Sequence, residues 1–178
     1  MAPDQPQTDA MADLRPFTGQ HAVVTGGGRG IGACIAEHLA ARGASLTLIG
    51  RTPGPVEAQK ARLHARYTVP VEAVAADVTD AGQVADAFKK SIAALGPVQI
   101  LVNNAGRGES APIKRMDLAF LRRMLDINLA STFLCIQQAL PGMTEGGYGR
   151  IVNVASTAGL IGYRYVSAYV ASKHAVVG

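Results

Sequence analysis

The 178 residues contain no tryptophan, and aromatic residues make up only 5%. Such a scarcity argues against an aromatic-rich β-sandwich and suits helices packed closely on a sheet. Cysteine is almost absent: Cys34 and Cys135 stand far apart, each inside a helix-like pattern. They offer neither metal-ligand spacing nor a disulfide framework, so no metal site is expected and a reducing, cytoplasmic setting fits. Charged residues are few, at 17%, whereas 48% are apolar, which excludes an intrinsically disordered chain. No membrane span and no apolar signal region can be read. The net charge of +4 comes from scattered basic residues, a poor footprint for nucleic acid. A bound anionic small molecule needs only one or two of them.

The length fits one domain or slightly more. Residues 1–17, with Pro3, Pro6 and Pro16 and no apolar run, read as a flexible leader. From residue 18 to residue 178 the expected unit is an α/β, doubly wound parallel sheet of the Rossmann type. Short β-branched runs (His21–Thr25, Ser45–Ile49, Val71–Ala75, Val98–Asn103, Arg150–Val154) alternate with helical stretches. This alternation implies right-handed crossovers with helices on both faces. Gly43 and Gly96-Pro97 close two of the helices, Asp80 caps another, and Asp117–Leu140 reads as one long helix. The sequence stops at Gly178 inside a helical pattern, so the expectation is a chain truncated after the fifth strand and the start of the next helix, and poorly active if it truly ends there.

The first strand runs into Thr25-Gly26-Gly27-Gly28-Arg29-Gly30-Ile31-Gly32 before the first helix begins. Glycines in that position permit a tight turn and let backbone amides and a helix N-terminus approach a phosphate. The spacing is Thr-Gly-x-x-x-Gly-x-Gly, with Gly26, Gly30 and Gly32. Asn103-Asn104-Ala105-Gly106 follows the fourth strand, Asn128 lies in the long helix, Ser156 follows the fifth strand, and Tyr169-Val170-Ala171-Ser172-Lys173 opens the last helix. In this order and on these elements, the motifs resemble the short-chain dehydrogenase/reductase family over essentially everything after Thr18. The resemblance implies a nicotinamide cofactor held by Thr25, Gly26, Gly28, Arg29, Gly30, Ile31 and Gly32, by Asp77 and Val78 after the third strand, and by Asn104, Ala105 and Gly106. Asp77 is equally readable as a turn former.

Which nicotinamide is set by the end of the second strand. A carboxylate there would bind the adenosine ribose hydroxyls and repel a 2′-phosphate. Instead the strand ends Gly50-Arg51, where glycine leaves room and the guanidinium offers a planar fork of donors. Arg29 is a second cation on the same side. NADP(H) is therefore favoured over NAD(H), although a solvated loop arginine would look the same in sequence. A methyltransferase, which shares a glycine-rich first turn, would want an acidic residue at this point.

Tyr169 and Lys173 lie one helical turn apart on one face. A free phenol, with a pKa of about 10, is a poor acid or base near neutrality. A neighbouring ammonium favours the phenolate and moves the group toward working pH. Ser156, at the carboxyl end of a parallel strand, is placed to hold a substrate oxygen as charge builds on it; Thr157, Ser167 and Ser172 are competing hydroxyls. His174 adjoins Lys173 but falls off the Tyr/Lys face. The resemblance implies that Lys173 also anchors the cofactor ribose and that Asn128 holds a water relaying protons. The expected reaction is hydride transfer between a nicotinamide and a ketone or secondary alcohol, with Tyr169, Lys173, Ser156 and Asn128 as the catalytic set. A non-catalytic NADP(H)-binding regulator is the alternative.

Residues 107–110 and 158–165 should line the pocket mouth. Their apolar, tyrosine and arginine content suits a small carbonyl or alcohol, or an acyl thioester. The surrounding motifs resemble 3-oxoacyl thioester reductases and 3-hydroxyacyl dehydrogenases of the family. The family further implies a homodimer or homotetramer, for which Leu125, Leu129, Phe133 and Ile136 provide an apolar stripe indistinguishable in sequence from a core-facing one.

Overall fold

A computed structural model describes residues 15–178. Residues 1–14 of the expected leader lie outside the described residues. Its last three, Arg15–Phe17, are already part of the folded unit. The Phe17 amide donates to the Arg42 carbonyl at 3.0 Å, and its ring packs against the core.

Five strands form one parallel sheet: β1 (His21–Thr25), β2 (Ser45–Gly50), β3 (Val71–Ala75), β4 (Val98–Asn103) and β5 (Arg150–Asn153), in the order β3-β2-β1-β4-β5. Every residue of β1 is buried, as expected of a central parallel strand covered on both faces. Among the described residues, six α-helices flank the sheet: α1 (Gly30–Ala41), α2 (Pro53–Arg66), α3 (Ala81–Leu95), α4 (Leu118–Leu125), α5 (Ser131–Glu145) and α6 (Ser167–Val177). Ala36 and Ala40 of α1 with Val56 and Leu63 of α2 cover one face, meeting Ala22, Val24, Leu46 and Leu48. Phe88 of α3 with Cys135, Ala139 and Met143 of α5 cover the other, against Val23, Ile49 and Leu101. Alternate residues of one strand thus supply both cores.

Local chemistry explains most boundaries. Gly43, at φ 94°, lets its own amide reach the Ala40 carbonyl and the Ala44 amide reach Leu39, closing α1. The Asp80 carboxylate accepts the Gln83 amide at 2.9 Å and starts α3. The long helix expected over Asp117–Leu140 needs correction. It consists of α4, a widened π turn over Asp126–Ala130, and α5, which continues through Pro141 to Glu145. Proline removes one helical amide bond, and its exposed position lets water serve the carbonyl left without a partner.

The chain lays β1, β2 and β3 outward in one direction and then crosses over to place β4 and β5 on the other side of β1. The turns leaving β1 and β4 therefore diverge at the carboxyl ends of adjacent strands and open a crevice between them. In open α/β sheets that switch point is where ligands bind.

Buried His21 ties the opposite end of the sheet together. Its Nδ1 lies 2.9 Å from the Gly96 carbonyl and its Nε2 2.9 Å from Thr47 Oγ1. Since a carbonyl only accepts, Nδ1 carries the proton and Nε2 accepts from the threonine hydroxyl. Burial pushes the imidazole pKa below its ordinary value, opposed by the bond to Gly96. The folded protein thus refuses a proton that the unfolded chain takes up below about pH 6.5. Stability is expected to fall as the pH drops through that value. A His21→Asn variant should show a flatter loss between about pH 7.5 and about pH 5.5 when denaturant midpoints are compared. An equal loss in both proteins would remove His21 as the cause.

Candidate active site

The glycine turn after β1 is built by close approach. A Cβ on Gly32 would fall 2.3 Å from the Gly26 carbonyl oxygen and 2.5 Å from Asn104 Nδ2. Gly26 has φ 66°, and a Cβ on Gly28 would meet the backbone of Pro55 and Val56 at 2.9 Å. The turn is thus pinched between the Asn104 loop and the start of α2. Arg29 forms the N-cap of α1 without a side-chain bond to the first amides, and no acidic residue stands in the first turn. Those amides remain available to an anion such as a diphosphate.

Beside the turn lies a cleft of about 300 Å³, lined by Gly26, Gly28 and Arg29, by Gly50 and Arg51, by Asp77 and Val78, and by Ala105, Gly106 and Arg107. These come from the ends of β1, β2, β3 and β4, so four separate sequence segments converge on it. At Gly50 a Cβ would lie 2.8 Å from Val56 Cγ1. Arg29 and Arg51 are both exposed and without a carboxylate partner among the described residues. Asp77 is a turn former that also stands at the cleft: its Oδ1 accepts the Thr79 amide and hydroxyl at 3.0 and 2.8 Å.

Thr25 and Asn104 do not themselves line the cleft. Buried Thr25 Oγ1 accepts the Asn104 and Ala105 amides, each at 3.0 Å, while Asn104 Nδ2 donates to the Thr25 carbonyl at 2.9 Å. The two residues clamp the turns of β1 and β4 to each other. Ile31 is 65% exposed at the start of α1.

At the other end of the crevice, Lys173 is buried and donates from Nζ to the Val154 carbonyl at 2.8 Å. This bond docks α6 against the chain leaving β5 and holds the ammonium 6.0 Å from the centre of the Tyr169 ring. Burial pushes the lysine pKa below its ordinary value. Nζ would lie 3.6 Å from a Cβ placed on Gly106, so the cofactor-side loop and the lysine share one wall. Gly108 lies on the Tyr169 ring: an added Cβ would sit 3.6–3.7 Å from three ring carbons.

Asn128, buried in the π turn, is the strut of the site. Its Oδ1 accepts the Arg107 amide at 3.0 Å, and Nδ2 lies within 2.9–3.1 Å of the Arg107 carbonyl, the Met124 carbonyl and Ser172 Oγ. Ser172 in turn donates to the Tyr169 carbonyl at 2.7 Å. One amide therefore joins the loop after β4 to the backbone of Tyr169. The widened turn is supported by Ser131 and Thr132, whose hydroxyls back-bond Ile127 and Asn128 carbonyls.

Hydrogen bonding commits two of the competing hydroxyls: Ser167 spends its proton on Met116 Sδ and Ser172 on Tyr169. Thr157 Oγ1 accepts the Tyr163 hydroxyl at 3.1 Å and so keeps a proton of its own. Ser156 Oγ accepts the Ala158 amide at 3.1 Å, which leaves its O–H free to donate. His174 is exposed and bonded to the carbonyl of Val170 in its own helix.

A family model described as short chain dehydrogenase matches residues 20–178. The chain belongs to the short-chain dehydrogenase family. It is 40% identical over 163 residues to a 2-dehydro-3-deoxy-L-rhamnonate dehydrogenase (NAD(+)) of Sphingomonas, covering 91% of this chain and 64% of the relative. Identity is also 40% over 163 residues to a D-beta-hydroxybutyrate dehydrogenase of Cupriavidus necator, covering 91% and 62%. Among solved structures, a Sinorhizobium meliloti chain described as a short-chain alcohol dehydrogenase superposes with TM-score 0.87 at 33% identity, covering 91% and 64%. The chain thus spans a little under two thirds of the length of these relatives.

Among the described residues, no cluster of His, Cys, Asp and Glu could hold a metal ion. No helix there is long and apolar enough to cross a membrane. Buried Cys135 has its thiol pKa pushed up to about 12 by desolvation and so stays protonated. Two contributors escaped the sequence reading. The Val154 carbonyl that seats Lys173 carries no side-chain signature, and Ser172 was weighed only as a rival hydroxyl. Gly106 and Gly108, adjacent to Lys173 and Tyr169, were the available signal, because glycine marks places where another group approaches closely.

Proposed function

We propose that this chain carries the cofactor and carbonyl site of an NADP(H)-dependent oxidoreductase that interconverts a ketone and a secondary alcohol. The observation that supports the reading is that Lys173, seated on the Val154 carbonyl, holds its ammonium 6.0 Å from the Tyr169 ring, which borders Gly108 of the loop after β4. In the reducing direction, Tyr169 gives its phenolic proton to the carbonyl oxygen, and Ser156 donates a hydrogen bond to the same oxygen as charge develops on it. Lys173 holds positive charge next to the phenol. Asn128 is a positioning residue, and a relay water would lie between its backbone and Lys173. The nicotinamide, when bound, supplies or accepts the hydride. Gly26, Gly28 and the first amides of α1 would hold its diphosphate, with Asp77 and Val78 beside the adenine.

Preference for NADP(H) rests on the absence of a carboxylate at the end of β2 and on Arg29 and Arg51 bordering the same cleft. The Sphingomonas relative, named as an NAD(+) enzyme, points the other way. Arg51→Glu is expected to weaken NADPH about tenfold to a hundredfold, the worth of a lost charge-assisted bond, and to leave NADH nearly unchanged. Parallel assays following the absorbance of each reduced nicotinamide test both statements. Equal losses for the two cofactors would remove Arg51 from phosphate recognition, and cofactor binding without oxidation by any carbonyl would favour a non-catalytic regulator.

The substrate proposed is a 3-oxo or 3-hydroxy acyl compound, as a thioester or a free acid; the Cupriavidus relative is named for a hydroxy acid. Phe133, 60% exposed, and Leu140, 48% exposed, leave α5 an apolar outer face suited to a homodimer or homotetramer, and the reducing cytoplasm is the proposed location.

A further inference from the structure

Two rim segments meet outside the catalytic helix. The loop after β4 reaches Ala111, whose amide donates to the Tyr165 carbonyl at 2.7 Å. Tyr165 has φ 65°, a left-handed backbone that is unfavourable for a bulky residue. The bond from Ala111 helps hold it there. Farther along, the Ser167 hydroxyl reaches Met116 at 3.3 Å. Between the segments runs a groove walled by Pro112, Ile113, Lys114, Arg164, Tyr165 and Ser167. Ser167 opens α6 two residues before Tyr169, so one wall of the groove lies on the helix that carries Tyr169.

Its charge is lopsided. Glu109, on the same rim, is already paired with Arg107 Nε at 3.1 Å. Lys114 and Arg164 have no carboxylate partner among the described residues. Pro112, Ile113 (74% exposed) and Tyr165 (60% exposed) add apolar surface to the groove that carries these two uncompensated cations. Such a groove raises the local concentration of a small anion and can order it through its apolar stem.

We propose that Lys114 and Arg164 form a subsite for an anionic group that the substrate carries away from its reacting carbonyl. This rests on the reading that Tyr169 protonates a bound carbonyl. The shared chemistry is an oxyanion on an apolar stem, either the carboxylate of a free oxo acid or the phosphates of a coenzyme A thioester.

A calorimetric titration of the purified protein with free coenzyme A, with butyrate and with pantetheine tests it without turnover. At least one of the two anions should bind, about tenfold more weakly to the Lys114→Ala/Arg164→Ala double variant, the sum expected of two exposed charges. Pantetheine, which lacks the phosphates, should not distinguish the proteins. Raising the salt concentration on the unaltered protein should reproduce the loss, a result independent of whether the variant folds. Weakening for coenzyme A alone assigns the phosphates, and for butyrate alone the carboxylate. No anion binding, or binding that neither salt nor the substitutions change, overturns the subsite. In kinetics, the ratio of kcat/KM for a charged over an uncharged ketone should fall about tenfold in the double variant, mainly through KM. A protein that binds the anion as expected but reduces no carbonyl would retain the subsite and lose the oxidoreductase reading.

Discussion

Replacing Tyr169 by phenylalanine is expected to lower kcat by a factor of about 10²–10⁴, the contribution usual for a positioned proton donor, with little change in NADPH affinity. The phenyl ring keeps its contact with Gly108, and the Ser172 hydroxyl still reaches the backbone carbonyl of residue 169, so the helix start remains in place. Only the proton at the crevice is lost. The split between kcat and cofactor affinity is the informative readout. A variant that loses both has lost the fold of α6, whereas one that loses neither has another proton donor. Ser156→Ala should give a smaller loss in the same direction, since it removes one hydrogen bond to the developing oxyanion and leaves the proton source intact.

The second large effect is expected at Gly32. A methyl group there would overlap the Gly26 carbonyl oxygen at 2.3 Å and Asn104 Nδ2 at 2.5 Å. The carbonyl belongs to a turn held by the Gly26 amide on Ile49, and the Asn104 side chain is fastened to Thr25, so neither can retreat cheaply. Gly32→Ala should therefore cost about 1–3 kcal/mol, as overpacking of a close contact does, and should weaken NADPH at least tenfold by displacing the amides meant for its diphosphate. Denaturant unfolding and cofactor titration measure the two effects separately. Gly30→Ala is the matched control for space: a Cβ there meets nothing within 4 Å, although its φ of 53° imposes strain of another kind. A Gly32→Ala variant as stable as the unaltered protein would mean that the Gly26 carbonyl and the Asn104 side chain retreat at little cost.

Much of this was legible in sequence because it depends on near neighbours. Alternating apolar runs located the strands, and Gly43, Asp80 and Gly96 marked helix ends through their own backbone and side-chain bonding. The glycine turn was readable because only glycine permits the approaches it makes. Helix boundaries drifted where tertiary support outweighed local preference. Pro141 would ordinarily end a helix, yet α5 runs through it because Ala139 and Met143 on either side are buried against the sheet. The π turn at Asn128 had no spacing signature; it follows from a buried amide with several partners in another segment.

The site followed the same division. Sequence by itself determined the α/β class, the order of the strands and helices, and the helical spacing that sets Tyr169 and Lys173 on one face, since those depend on periodicity and on backbone preferences within a few residues. Tertiary structure alone decided that Thr25 and Asn104 clamp two turns together, that Asn128 braces Arg107 and Ser172, and that Lys173 rests on Val154. Each of these is a bond between groups far apart in the chain, and their geometry exists only once the parallel sheet has brought the ends of its strands side by side.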